Sequence, residues 1–191
     1  MELLPLLLLP PPVYFKSLLE GGDNISLALG ERYHKQTDRN RFRIYGPNNL
    51  QTLSVPVVHE KSHGQMALVA IDYRENWHIK HKRAIETVYR RSPFFEHYYH
   101  HIEPLFGIKY SLLAELNIEA LHRIIKALGV KVSIRLDMNY VQGSLPEKTS
   151  NAFDNKQYHQ VFETRRGFVP NLSIIDLIFN EGPNALDFIL A

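Results

Sequence analysis

The fold is decided by Leu3-Leu4-Pro5-Leu6-Leu7-Leu8-Leu9-Pro10, an apolar stretch near the start of the chain. A short continuous run of leucines bounded by prolines is typical of a strand buried on both faces, as in α/β proteins. Pro5 argues against a central position, because proline cannot donate a hydrogen bond to a neighbouring strand. The stretch is too short to span a membrane, and it lacks the basic start and cleavage site of a secretion signal. We therefore predict a buried strand.

Helical and extended patterns alternate along the rest of the 191 residues. Apolar residues at helical spacing, with proline at helix starts and glycine at helix ends, predict helices over residues 13–20, 77–91, 110–128 and 174–180, and a further helix that begins at residue 92. The predicted strands cover residues 25–29, 66–71, 130–136 and 158–162, and residues 138–157 are a long polar loop. This order predicts one α/β domain over residues 1–191, with a mixed sheet flanked by helices.

Composition narrows the classes of function. The formal net charge is only +2, so binding of nucleic acid through a basic surface is not expected. The chain has no cysteine, which excludes disulfides and acyl transfer through a thiol and is natural in a reducing compartment. No apolar stretch of about 18 residues predicts a membrane span. We expect a cytoplasmic protein.

A basic segment, Tyr33-His34-Lys35-Gln36-Thr37-Asp38-Arg39-Asn40-Arg41-Phe42-Arg43-Ile44, is the strongest functional signal. In an extended chain, alternate side chains share a face. One face would then carry Lys35, Thr37, Arg39, Arg41 and Arg43, and the opposite face would turn Asn40, Phe42 and Ile44 toward the core. Arginine grips phosphate or carboxylate with two parallel hydrogen bonds, so the segment predicts a small anionic ligand. The alternative is an edge strand whose charges are solvated and discourage edge pairing.

Residues 41–58 are predicted to form a hairpin, because two extended patterns flank the turn composition Gly46-Pro47-Asn48-Asn49. Pro56 places the second strand near an edge. The hairpin would carry the cationic face into the margin of the sheet.

Four motifs occur in order along the chain. They are Tyr33-x-Lys35-x-Thr37-x-Arg39-Asn40-Arg41, then Leu53-Ser54-Val55-Pro56-Val57, then Ser92-Pro93-Phe94-Phe95-x-x-Tyr98, and finally Gly167-Phe168-x-Pro170-x-Leu172-Ser173-Ile174-x-Asp176-Leu177-x-Phe179-Asn180-x-Gly182-Pro183. At these separations the chain resembles the WbqC-like protein family over nearly its whole length.

The resemblance implies a bacterial protein encoded among polysaccharide and O-antigen genes. Transfer of glycine or another acyl group to an amino sugar has been proposed for the family from gene context, which is an analogy. An amino sugar would arrive linked to a nucleotide, and its diphosphate needs preorganised cations. The substrate-binding residues that the motifs imply are Tyr33, Lys35, Thr37, Arg39, Asn40, Arg41 and Asn180.

The start of the chain departs from the family pattern. Family members commonly carry Pro-x-Tyr-Leu-Pro four residues before a Tyr-Phe pair, whereas Leu6-Leu7-Leu8-Leu9-Pro10 precedes Tyr14-Phe15 here. Leu6 and Leu8 replace the first proline and the tyrosine. If that tyrosine binds ligand in the family, the function of this chain is altered.

Two residues are candidates for proton transfer. His81 lies on the apolar stripe of the helix that begins at Trp77, and histidine titrates near neutral pH. The alternative is a core histidine with one hydrogen bond. Asp176 lies in the first turn of the last predicted helix and could orient a base or bind a ribose hydroxyl, or it could serve with Ser173 as a helix cap.

The sequence predicts no metal site and leaves the cofactor unknown. His97 and His101 have the spacing of zinc ligands on a helix, but Tyr98 stands where a zinc protease needs glutamate, and no third ligand is evident. The glycine-rich phosphate loops of nucleotide-binding proteins and the Gly-x-Ser-x-Gly elbow are also missing from the sequence.

Since no standard catalytic motif is present, a second class of function stays open. The chain could be a noncatalytic binding or scaffold protein of a polysaccharide gene cluster. Turnover by the pure protein would discriminate between the two classes, and the sequence leaves the oligomeric state open.

Overall fold

The structure, a computed structural model, describes residues 2–58, 64–139 and 157–191. Its strands are β1 (Glu2–Pro5), β2 (Ile25–Ala28), β3 (Arg41–Tyr45), β4 (Leu50–Ser54) and β5 (Ile134–Asp137). Its helices are α1 (Pro12–Glu20), α2 (Trp77–Tyr89), α3 (Phe95–Ile102), α4 (Pro104–Gly107), α5 (Leu113–Ala127), α6 (Glu163–Arg166), α7 (Ile174–Glu181) and α8 (Ala185–Leu190).

A parallel sheet holds β1, β2 and β5, with β2 in the middle. In its register, Leu4 lies opposite Leu27, and Leu27 lies opposite Leu136. All four residues of β2 are buried, as expected for a central parallel strand. Helix α1 makes the crossover from β1 to β2, which parallel strands require. Buried apolar side chains from sheets and helices form one core, so the α/β prediction is confirmed.

The leucine run is only partly a strand. Strand β1 ends at Pro5, on the edge of the sheet, where the missing N–H of proline is tolerated. Leu6 to Leu9 are buried but lie outside the ladder, and the Leu8 N–H donates to the carbonyl of Asp38 at 2.8 Å. Leu9 has a φ of 44°, so the chain turns there rather than continuing as a strand.

The predicted hairpin is confirmed as the antiparallel pair β3–β4. Within β3, Phe42 and Ile44 are buried, whereas Arg41 and Arg43 are half-buried. The hairpin does not extend the parallel sheet: in the described part of the chain it forms a separate two-stranded sheet, so its predicted place in the sheet margin is wrong.

The predicted helices over residues 13–20, 77–91, 110–128 and 174–180 are confirmed; α1 and α7 are one residue longer than predicted, and α2 and α5 are shorter. The helix predicted after residue 92 is α3. The strand predicted over residues 66–71 is wrong: Met66–Leu68 is a short 3₁₀ helix, and Ala70 and Ile71 form only isolated bridges. No strand forms over 158–162. Residues 140–156 of the predicted polar loop lie outside the described residues. None of the described helices is long and apolar enough to cross a membrane.

Candidate functional site

Segments far apart in sequence meet at a small crease with an empty volume of about 140 Å³. The turn after the leucine run, the strand β3 and the start of α7 form its walls. The lining residues are Leu9, Pro10, Pro11, Asp38, Arg41, Phe42, Arg43, Asn171 and Ser173. The crease therefore joins the altered N-terminal element, the first motif and the fourth motif.

Hydrogen bonds from Ser173 and Ile174 hold these segments together. The Ser173 N–H donates to the carbonyl of Arg43 at 2.8 Å, and the Ile174 N–H donates to the carbonyl of Pro10 at 2.9 Å. The Ser173 hydroxyl donates to the carbonyl of Leu9 at 2.8 Å, and it caps α7 by accepting from the Ile175 N–H. Since these N–H groups at the start of α7 already have partners, the helix end adds no free donors to the crease.

The basic segment does not form one extended row. Turns occupy most of residues 35–40, Gln36 has a φ of 60°, and the strand begins only at Arg41. The predicted common face from Lys35 to Arg43 is therefore wrong. Only Arg41 and Arg43 share a strand face at the crease.

Arg39 lies inside the protein rather than on that face. Its side chain is 1% exposed, and its Nε and Nη2 atoms donate to the two carboxylate oxygens of Glu31 at 3.0 and 2.8 Å. The carbonyl of Arg39 accepts from the Asn117 side chain at 2.8 Å. This fork-to-carboxylate pair anchors the basic segment to the core, so the geometry gives Arg39 a positioning role.

Arg41 differs from its neighbours in having an uncommitted guanidinium. Arg43 lies 3.4 Å from the carboxylate of Asp38, so its charge is partly balanced. Arg41 is half-buried at the crease, and no side chain within the described residues hydrogen-bonds or pairs with it. A partly desolvated arginine with five free donors is well suited to a phosphate or carboxylate.

Three other predicted contacts, Tyr33, Lys35 and Thr37, do not line the crease and lie in varied environments. Tyr33 is buried, and burial raises its pKa to about 12 against the opposing charges of Arg39 and Arg41. Lys35 is exposed, while Thr37 donates to the carbonyl of His34 within the turn at 2.8 Å.

Asn40 joins the first motif to the second. Its side-chain amide donates to the backbone carbonyl of Val55 at 3.0 Å, and the backbone carbonyl of Asn40 accepts from the Val55 N–H at 2.7 Å. Phe94 of the third motif donates through its N–H to the carbonyl of Phe179 in the fourth, at 3.0 Å. The motifs thus form a continuous framework behind Arg41.

Asp176 is buried in α7, one turn from the cap Ser173. The Tyr158 hydroxyl donates to its carboxylate at 2.8 Å, and burial raises the pKa of this carboxyl to about 6. Asn180 is also buried and donates to the Asp176 carbonyl at 2.8 Å. Neither side chain lines the crease.

His81 is a core residue, which was the alternative to a role in proton transfer. The side chain is 5% exposed, and its ring packs against Trp77, Phe42 and Phe106. Burial lowers its pKa to about 4, so the imidazole is neutral at physiological pH. The ring contacts Phe42, the core-facing residue between Arg41 and Arg43, and does not line the crease.

Sequence reasoning missed Glu31, Asp38 and Asn117 as residues that shape the site. Asn117 carried a detectable signal, because it is a polar residue on the apolar face of α5 between Leu113 and Leu121. Within the described residues, no group of three or more histidine, aspartate or glutamate side chains could hold a metal ion.

The comparison with protein families agrees with this arrangement of motifs. The model of the WbqC-like protein family matches residues 7–151 and 147–188. The chain belongs to the WbqC-like protein family. The chain is also similar to the Uncharacterized protein Rv1507c of Mycobacterium tuberculosis (strain ATCC 25618 / H37Rv), at 26% identity over 194 residues, covering 83% of this chain and 84% of the relative. No solved structure gives a significant match to this WbqC-like chain.

Proposed function

We propose that this WbqC-like protein binds a nucleotide-linked amino sugar at the crease and transfers an aminoacyl or other acyl group, such as glycine, to the sugar amine. The reaction would serve synthesis of surface polysaccharide (O-antigen) in the bacterial cytoplasm. The observation that supports the binding step is the half-buried guanidinium of Arg41, which has no partner within the described residues.

The small size of the crease determines how such a ligand would lie. Pockets that enclose a drug-sized ligand measure roughly 300–1,000 Å³, whereas the crease is closely packed and has no room for a water-sized group inside it. The phosphate would therefore lie at the mouth of the crease, against the half-buried guanidinium of Arg41, and the rest of the ligand would lie outside. Lys35, which is exposed on the preceding turn, would extend the cationic surface toward the second phosphate.

The chemistry requires one base. The amine nitrogen of the sugar attacks the carbonyl carbon of the acyl donor, the bond from that carbon to the leaving group breaks, and the base accepts the proton of the amine. Asp176 has the more suitable pKa, about 6, since a base works best near the operating pH. His81, with a pKa near 4, is the weaker candidate.

A noncatalytic binding protein is the second candidate function. Asp176 and His81 are both buried away from the crease, and the acid that does line it, Asp38, pairs with Arg43. This arrangement favours binding without turnover. Incubation of the pure protein with a nucleotide-linked amino sugar and acyl donors, followed by mass spectrometry of the sugar, discriminates between the two.

Thermal unfolding with nucleotides, nucleotide-sugars and amino acids tests the binding step. A ligand at 100 times its Kd stabilises the native state by about 2.7 kcal/mol, which raises Tm by a few degrees. We expect nucleotide-sugars to raise Tm in the wild type and in Arg90→Ala, which replaces an exposed arginine that does not line the crease, but not in Arg41→Ala. Equal stabilisation of both variants would contradict the proposed site.

A further inference from the structure

A second cleft lies between α3 and α5, with an empty volume of about 610 Å³. It shares no residue with the crease. The residues that line it are His100, His101, Glu119, His122, Arg123 and Lys126.

Most of the donors in this cleft have no protein partner. Within the described residues, no hydrogen bond or ion pair involves the imidazoles of His100, His101 and His122 or the ammonium of Lys126. The carboxylate of Glu119, the acid in the cleft, forms an ion pair with Arg123, whose Nε lies 2.6 Å away. The cleft therefore presents three imidazoles and an ammonium that are free to contact a ligand.

The backbone directs these groups to one place. Helical spacing sets His122 and Lys126 one turn apart on the same face of α5. His100 and His101 lie in the last turn of α3, where the helix dipole favours positive charge. Their ring centroids are 4.0 Å apart, so protonation of both rings would be repulsive unless an anion lay beside them.

Charge counting indicates the class of ligand. One arginine and one lysine against one glutamate give the cleft a formal charge of +1, and protonation of its three histidines would bring this to +4. Burial and the nearby charges of His100, Lys126 and Arg123 lower the pKa of His101. A bound anion would offset this repulsion, so binding and protonation favour each other.

We propose that this cleft binds a phosphate-class tetrahedral oxyanion, and that it does so more tightly as His100, His101 and His122 become protonated. Such an anion has several acceptor oxygens, which match the imidazole, ammonium and guanidinium donors that converge there.

The other carboxylates on or beside α3 do not line the cleft: Glu96 lies in the first turn of α3, one turn before His100, and Glu86 of α2 accepts from the Tyr99 hydroxyl at 2.7 Å. Helix α3 packs against α4, α5 and α7, and α4 carries no titratable group. In α7, Asp176 is buried with Tyr158, and Glu181 accepts from the His159 N–H. Glu103, after the end of α3, pairs with Lys82 at 2.6 Å.

Sulfate is the probe that tests the linkage, because its charge is constant at neutral and mildly acid pH. Histidine Cε1–H resonances of the full chain would be followed by NMR during titration at about pH 5.5 and about pH 8, on either side of the usual histidine pKa. We expect the His100, His101 and His122 resonances to shift together, with affinity about tenfold higher at the lower pH. The resonance of His159, which is exposed, does not line the cleft and lies 3.0 Å from Glu163, should not follow.

Variants distinguish a specific anion site from nonspecific electrostatic attraction of the anion to the protein surface. His122→Gln with Lys126→Gln should abolish the binding, whereas the matched pair His159→Gln with Lys131→Gln, both exposed and outside the cleft, should retain it. Arg41→Ala should also retain it, since the crease is a separate site. Inorganic phosphate and a nucleoside monophosphate, titrated in parallel, distinguish a free anion from an esterified one. Equal shifts at His159, or binding that survives loss of His122 and Lys126, would mean an adventitious ion only and would overturn the proposal.

Discussion

The ring of Phe94 occupies the space that a Cβ atom on Gly182 would need. An ideal Cβ there would lie 2.5 Å from two atoms of the ring, and Gly182 also has a φ of 53°. The contact joins the third motif to the end of α7, so these motif residues have a packing role in this protein.

Gly182→Ala should therefore destabilise the protein by about 1–3 kcal/mol through overpacking, beyond the cost of its backbone conformation. Gly22 is a matched control, because it has the same φ of 53° but nothing lies within 4 Å of its added Cβ. Chemical denaturation of both variants measures the difference. Equal losses of stability in Gly182→Ala and Gly22→Ala would show that the Phe94 contact contributes nothing.

The buried pair Arg39–Glu31 predicts an asymmetric response to mutation. Glu31→Ala leaves the guanidinium of Arg39 buried without its carboxylate partner, which should lower the free energy of unfolding by about 3–5 kcal/mol. Replacing both residues, as Glu31→Leu with Arg39→Met, should cost much less, because no charge is then left buried. Urea unfolding of the single and double variants makes the comparison.

Lys80→Ala is the control for this experiment. It breaks an exposed pair with Glu75 and should leave stability nearly unchanged. A Glu31→Ala variant as stable as Lys80→Ala would contradict the positioning role of Arg39.

Asp176 makes stability depend on pH. Its pKa is about 6 in the folded protein, against about 3.9 in an unfolded chain. Between these values the folded protein retains a proton that the unfolded chain has released. Stability from this group is therefore present at low pH, falls as the pH rises through about 4 to 6, and changes little above that range.

Asp176→Asn should remove this dependence while keeping an oxygen that accepts from Tyr158. Between roughly pH 4 and pH 7, the unfolding free energy of the variant should rise relative to that of the wild type by about 2 kcal/mol. Urea unfolding at several pH values measures it, with the surface variant Asp23→Asn as a control for loss of one carboxylate. A difference that is independent of pH would refute the raised pKa.

Local patterns in the sequence predicted much of the fold. The periodic apolar stripe of α5 and the turn composition between β3 and β4 are local signals, and both elements form as predicted. The strand predicted over residues 66–71 failed, because a 3₁₀ helix occupies Met66–Leu68 and leaves only isolated bridges at Ala70 and Ile71.

The site was harder to predict, since it depends on contacts between distant segments. The alternation rule assumed that Arg39 lies in a strand, but the turn before Arg41 directs it inward to Glu31. A sequence pattern cannot distinguish an arginine that faces solvent from one that donates hydrogen bonds to a buried carboxylate. The same rule was right for Arg41 and Arg43, because these residues do lie in β3.

The central claim is that Arg41 forms an anion site at the crease, and calorimetric titration with inorganic pyrophosphate tests it most directly. The titration would use the His122→Gln, Lys126→Gln background, so that the cleft between α3 and α5 does not contribute. We predict that Arg41→Ala weakens the affinity at least about tenfold, or about 1.4 kcal/mol, whereas Arg90→Ala leaves it unchanged. Equal affinity of the two variants, or no binding by the background protein, would contradict the account.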